Sequence, residues 1–354
     1  MRSSLPSFEP GTPGPGVFFL AADVGGTHAR VGLGRTLRAA PGDCPVELLH
    51  GEVFACAQWP GLGELLAAFV ARLAETPWGG EATIEACVLA CAGYVQEDQV
   101  VNRNLPWPVS ISALRQRLGL ERLTVINDFE ALAHAVPYVK PRDMRPLMTG
   151  DGSAGGLASG TIVVMGPGTG LGCAAVLPGS AGPQVLPTEA AHVSLAPGTA
   201  REIDILRLLA GDRGHVPVEN ALSGPGLLKL YRAISTLRGE SPALDTPAAV
   251  TGAALEQRSE AAIEALSTFC ALLGSFAADL AALYGAHGGI LLAGGILPRI
   301  EPFLQQSDFK KRFLNKGVLA PFLERVPVHL IDHGDLGVLG AACWLERELG
   351  RQGG

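Results

Sequence analysis

The sequence predicts an α/β protein assembled from two similarly built halves, on three observations. Short apolar runs suited to buried strands alternate with stretches in helical spacing. Two of the strand runs break at a glycine-rich turn holding a threonine and return at once as a second strand, around Asp23–Thr27 and around Gly166–Gly170. Placing Gly26-Thr27 over Gly168-Thr169 lays one strand–turn–strand unit on the other, with Met165 where the first copy has Asp23. Only one half then supplies an acid at its turn.

The elements follow in order. Residues 1–16, ending in PGTPGPG, read as a loose leader, and the first strand begins near Val17. LGELLAAFVARLAE (62–75) spaces its apolar residues for a helix, and ATIEACVLACAG (82–93) is a buried strand ending in glycine. LTVINDFEALAHAVP (123–137) gives a short strand, the pair Asn127-Asp128, and a helix that stops before Pro137. DGSAGGLASG (151–160) is a flexible connection. After the second glycine turn come helical patterns at 200–211, 225–236 and about 257–284. A strand at 288–298 closes on Gly294-Gly295, another lies at 326–331, and a final helix covers 334–349. The expected division is 17–138 with 333–354 as a small α/β domain, and 139–332 as a large one.

Composition narrows the function. The chain has 354 residues, 47% hydrophobic and 17% charged, which fits two globular domains and excludes a disordered chain. A formal charge of −7 argues against a nucleic-acid backbone as partner. A small anion remains compatible, since backbone N–H groups bind one without net positive charge. Seven scattered cysteines with no CxxC spacing argue against a disulfide framework or a zinc site, and predict free thiols in a reducing cytosol. Val17–Ala22 is too short for a signal-peptide core, and Asp279 and His287 interrupt the most apolar region. A cytoplasmic protein without a membrane partner is expected.

Glycine turns between strands aim several N–H groups outward and let a ligand reach the main chain, which suits phosphate oxygens. One such turn alone is an ordinary hairpin; two matching ones and a third glycine pair point to a nucleotide. No GxxxxGK[ST] loop occurs, and Gly166–Gly172 leads into a strand, so neither common phosphate fingerprint applies. Asp23 can hold a water of Mg²⁺, an ion that keeps most of its waters. Asn127-Asp128 lies at a strand's carboxyl end, where α/β sheets bind ligands. A carboxylate there can take a proton from an attacking hydroxyl, while capping the following helix is the expected role for one of the two. Glu189 and His192, three apart, can converge on one ligand, but two groups make a poor metal site. Glu219, before Ser-Gly-Pro-Gly, reads in isolation as a surface charge. Polar groups of these kinds together suit a polyhydroxy ligand.

Taken together, DVGGTHAR, INDFEAL, GPGTGLG, EAAHVSLAP, ENALSGPGLLKLYRAI and LLAGGILPR resemble the bacterial ATP-dependent glucokinases of the non-ROK type, over about residues 17–349. The resemblance implies two ribonuclease-H-like domains of the actin-like ATPase superfamily flanking a cleft, and phosphorylation of D-glucose at O6 by Mg²⁺-ATP. It implies Asp128 as catalytic base, and Asn127, Glu189, His192, Glu219 and, by looser alignment, Asn104 as sugar ligands. It implies nucleotide binding by Asp23, Val24, Gly25, Gly26 and Thr27, by Gly168, Thr169 and Gly170, and by Gly294 and Gly295 on the adenosine side. It also implies a homodimer. Ala190 and Ala191 stand where the family usually has glycines, His28 where it commonly has Asn, and the ROK zinc motif is absent. The rivals are a kinase for another hexose such as mannose, an idle sugar sensor, and a folding or cytoskeletal ATPase. The short leader and Asp128 argue against the sensor, and the sugar constellation against the last.

Overall fold

The computed structural model describes residues 16–40, 42–79, 82–101, 105–150, 156–180, 182–332 and 334–352. The chain falls into two compact units, 1–139 with 333–354, and 140–332.

The first unit contains β1 (Phe18–Val24), β2 (His28–Thr36), β3 (Val46–Ala55), α1 (Leu62–Leu73), β4 (Ile84–Cys91), β5 (Tyr94–Gln96), β6 (Gln99–Val101), α2 (Ile111–Leu118), β7 (Arg122–Ile126) and α3 (Asp128–Ala135). Its main sheet runs β3-β2-β1-β4-β7. The first three strands are an antiparallel meander, and β1, β4 and β7 are mutually parallel. β5 and β6 form a separate ribbon.

β1 is buried on both faces, and its two-residue period divides it between two cores. Leu20, Ala22 and Val24 pack with Leu62, Leu65 and Phe69 of α1 and Leu114 of α2. Phe19 and Ala21 pack with Ala131 of α3 and with Val338 and Ala341 further along the chain. The spacing Leu62, Leu65, Leu66, Phe69, Leu73 puts one apolar stripe of α1 on the sheet.

The second unit contains β8 (Met144–Met148), β9 (Ile162–Pro167), β10 (Leu171–Leu177), β11 (Gln184–Thr188), α4 (Ala200–Ala210), α5 (Gly224–Arg238), α6 (Pro247–Leu255), α7 (Glu260–Tyr284), β12 (Gly289–Leu292), α8 (Leu297–Gln306), α9 (Phe309–Leu314), α10 (Ala320–Leu323) and β13 (Val328–Ile331). The last helix, α11 (Leu336–Gln352), belongs to the first unit. At Gly340 a Cβ would sit 1.7 Å from the Ala131 carbonyl oxygen, so only glycine lets α11 cross α3 at backbone contact.

The second sheet runs β11-β10-β9-β12-β13-β8. It repeats the first pattern, an antiparallel meander of three followed by parallel strands, with β8 added antiparallel at the far edge. The helices start where hydroxyl side chains cap them: Thr199 for α4, Ser223 for α5, Thr246 for α6 and Ser259 for α7.

Two expectations change. Val24 pairs with Ala29, leaving residues 25–28 in the first turn, whereas Pro167 pairs with Leu171, leaving only 168–170 in the second. Superposing the two threonines therefore keeps register on one side only. The closing bonds differ: Gly25 N donates to His28 O at 3.0 Å, and Gly168 N to Gly170 O at 2.7 Å. Against the expectation of no membrane-length run, α7 is long and apolar enough to span a bilayer. Its most apolar window is 67% buried inside the protein, so it is the central core helix of the second unit. Asp279 interrupts the hydropathy but not the helix; its carboxylate meets Lys316 Nζ at 2.5 Å.

Candidate active site

In the first unit the sequence-predicted residues gather at the carboxyl ends of the parallel strands. Asp23 is the penultimate residue of β1, pairs in register with Ala90 of β4, and Ala90 pairs with Ile126 of β7. Asn127 and Asp128 follow directly. Cys91, at the end of β4, is pushed up to about 12, first by burial and then by the negative charges of Asp128 and Asp23. Both acids therefore lie at the strand end that Cys91 closes.

Asn127 is the cap of α3. Its Oδ1 accepts from Phe129 N at 2.8 Å and Glu130 N at 3.2 Å, leaving its amide nitrogen as the group able to donate to a ligand. Asp128 is the first helical residue, and its Oδ1 accepts from Phe129 N at 2.9 Å. This sets a negative charge at the positive end of the helix dipole and fixes the carboxyl orientation. Asp23 is only 9% exposed, faces Arg30 with an N–O distance of 3.9 Å, and packs against Gly337 of α11.

The first turn, Gly25–His28, is exposed, with Val24 buried before it. It is latched by Cys56, which sequence reasoning did not single out. Cys56 N donates to Thr27 O at 2.9 Å, and its thiol donates to Gly25 O at 3.4 Å. No local pattern could reveal this, because Cys56 comes from beyond β3. Asn104 lies outside the described residues.

The second unit brings together the other turn, Gly294-Gly295 and the Glu/His/Glu group. Ala293 N donates to Met165 O at 2.8 Å, which ties the end of β12 to β9. Gly294, at φ +101, is so close to the second turn that a Cβ would lie 2.4 Å from Pro167 O; Gly295 faces open space. The Gly168 carbonyl accepts from Gly224 N at 2.8 Å, at the N-terminus of α5. Thr169 is exposed at the tip.

Glu219 is not the surface charge it resembles in isolation. It is half-buried, and its Oε2 accepts from Leu171 N at 2.9 Å, directly after Gly170. Its own carbonyl accepts from the Ser223 hydroxyl at 2.8 Å, and Ser223 caps α5 through Gly226 N at 2.9 Å. Glu219 thus spans the turn and the helix that supports it.

Glu189 and His192 flank a 3₁₀ turn over Ala190–His192, whose three-residue period puts them on one side, Nε2 to Oε2 3.8 Å apart and exposed. Ala190 and Ala191 are 6% and 3% exposed; their methyl groups enter the main core and anchor the turn. Val218 N donates to Val193 O at 2.9 Å and Leu195 N to Val216 O at 2.8 Å, so the segments bearing His192 and Glu219 run side by side. Among the described residues no group of three or more His, Cys, Asp or Glu side chains could hold a metal ion by itself.

A family model described as Glucokinase matches residues 20–348. A glucokinase-like protein of Xylella fastidiosa (strain Temecula1) is 43% identical over 329 residues, 92% of this chain and 94% of that protein. A glucokinase of Saccharophagus degradans is 36% identical over 333 residues, 93% and 98% of the two chains. The crystal structure of a glucokinase from an Antarctic psychrotroph superposes with a TM-score of 0.77 at 32% identity, covering 93% of this chain and 99% of that one. Turn sequences, strand-end acids and near-complete coverage by these relatives agree, and the chain belongs to the glucokinase family.

Proposed function

We propose that this protein transfers the γ-phosphoryl group of ATP to O6 of D-glucose, with Asp128 as the general base. The observation that carries the reading is the placement of Asp128: first residue of α3, just past the carboxyl end of β7, with only β4 between that strand and β1, whose penultimate residue is Asp23. Asp128 accepts the O6 proton as that oxygen attacks phosphorus in line. The Asn127 amide, Glu189, His192 and Glu219 hold the sugar hydroxyls, acids accepting and amide or imidazole N–H donating. The N–H groups of the turns at 25–28 and 168–170, with the Thr27 and Thr169 hydroxyls, offset charge on the phosphates. Gly295, open on its outer side, leaves room for the adenosine end.

A divalent ion fits the donor set only in the manner of magnesium. No protein cage exists among the described residues, and Mg²⁺ is commonly held by phosphates, waters and one or two carboxylates. Asp23, buried at the strand end, is the residue that would hold such a water. When bound, the ion would neutralise part of the charge on the phosphates. We further read the enzyme as a cytoplasmic homodimer, a state that sedimentation of the purified chain measures.

The test is a coupled ADP-release assay with glucose, mannose, fructose or no sugar, on wild type and Asp128→Asn. Glucose should give the highest kcat/KM, and no sugar almost none. The variant should bind glucose nearly normally and lose roughly 10²- to 10⁴-fold in kcat. Near-full turnover by the variant would refute the base assignment, and a preference for mannose would reassign the substrate.

A further inference from the structure

The seven cysteines are all free, and six of them are buried. Five of those, Cys56, Cys87, Cys91, Cys173 and Cys270, are held protonated by burial. Cys44 differs. It lies half-buried in the connection from β2 to β3, packed against the cluster that contains Cys343 of α11. The two thiols are neighbours in that cluster, each the foremost influence on the other, and Cys44 Sγ reaches Val46 O at 3.3 Å. Tyr138 and Glu346 are the other titratable groups facing the pair.

We propose that Cys44 and Cys343 form an oxidation site, in which hydrogen peroxide converts the two thiols to a disulfide joining the β2–β3 connection to α11. The geometry divides the roles. Cys44 is the more accessible thiol, so it meets the oxidant first; Cys343 is only 3% exposed. The neighbouring Cys343 thiol lowers Cys44 against the opposing effect of burial, and the pairing together with burial raises Cys343. In a reactive dithiol the accessible sulfur attacks first and its buried neighbour resolves the intermediate, and exposure gives Cys44 the first role and Cys343 the second.

The chemistry balances. The Cys44 thiolate attacks one peroxide oxygen; an S–O bond forms, the O–O bond breaks, and the departing hydroxide takes up the proton that the thiol released. Sulfur loses two electrons and the peroxide gains them, giving a sulfenic acid and one water. The Cys343 sulfur then attacks Cys44. An S–S bond forms as the S–O bond breaks, and the leaving hydroxyl takes the Cys343 proton as a second water. Two thiols and one peroxide become one disulfide and two waters. The tie closes on a helix whose first turn packs Gly337 against Asp23 and whose next turn packs Gly340 on α3.

The test uses the full reduced chain, hydrogen peroxide near neutral pH, and peptide mapping without reductant. The expected product is one cross-linked Cys44–Cys343 peptide, loss of two titratable thiols, and return of both with dithiothreitol. In Cys343→Ala the first step proceeds without the second, so dimedone should label Cys44. In Cys44→Ser, which alters only the half-buried position, Cys343 should stay reduced. Absence of the 44–343 peptide, or oxidation of Cys343 in Cys44→Ser as fast as in wild type, would overturn the assignment.

Discussion

Replacing Glu219 separates its two attachments. One carboxylate oxygen accepts from Leu171 N at 2.9 Å and so holds the exit of the second glycine turn, while Gly224 N holds its entry through Gly168 O. Leu171 is itself buried, so Glu219→Ala leaves its amide without this partner. A hydrogen bond to a charged group is worth about 1.5–3 kcal/mol, and its loss at a buried donor is a cost of the same size. At about 1.4 kcal/mol per decade, nucleotide affinity should fall roughly 10- to 100-fold if the turn carries phosphate in that conformation. Glu219→Gln keeps an oxygen at the same reach without the charge, and neutral bonds are about half as strong, so roughly 3- to 10-fold is expected. Calorimetric titration with ADP in the absence of sugar isolates this effect from sugar binding. Unchanged ADP affinity in Glu219→Ala, with only the glucose KM raised, would refute the turn-holding role.

Thr27→Val should raise the ATP KM about tenfold with little change for glucose, because only the hydroxyl is lost while the Thr27 carbonyl keeps its bond from Cys56; steady-state kinetics in both substrates check it. Arg312 and Glu202 form a buried pair, with Arg312 Nε also donating to Ser275 Oγ at 3.0 Å and Gly198 N donating to Glu202 at 2.6 Å. Arg312→Met strands the buried carboxylate and should cost about 3–5 kcal/mol in urea unfolding. Burial, with Arg347 and Arg351 adding, pulls His134 on α3 down to about 4. The unfolded imidazole takes its proton near pH ~6.5, so the folded state's advantage is complete above that pH. It is lost as pH falls towards about 4, by at most about 3 kcal/mol, and His134→Gln should flatten the melting temperature across that window.

Which parts of the site were legible follows from how far apart their causes lie in the chain. The junction at Asn127-Asp128 was readable because strand period, cap chemistry and the stop before Pro137 are all local. Their separate roles were not: two adjacent residues of equal capping ability are told apart only by which side chain meets Phe129 N and Glu130 N. The two glycine turns were readable as turns, but their one-residue difference was not, since cross-strand register is fixed by pairing and not by the turn's composition.

By itself the sequence determined the alternation of strands and helices, the glycine turns and the acids beside them, because each rests on the preferences of a few neighbouring residues. The tertiary structure alone decided that Cys56 latches the first turn, that Glu219 braces the second, that α11 returns to Asp23 and α3, and that Cys44 meets Cys343. Those partners lie tens to hundreds of residues apart. Their contacts arise only when burial of the sheet faces fixes which strands and helices become neighbours, a choice made by the whole core and by no single segment.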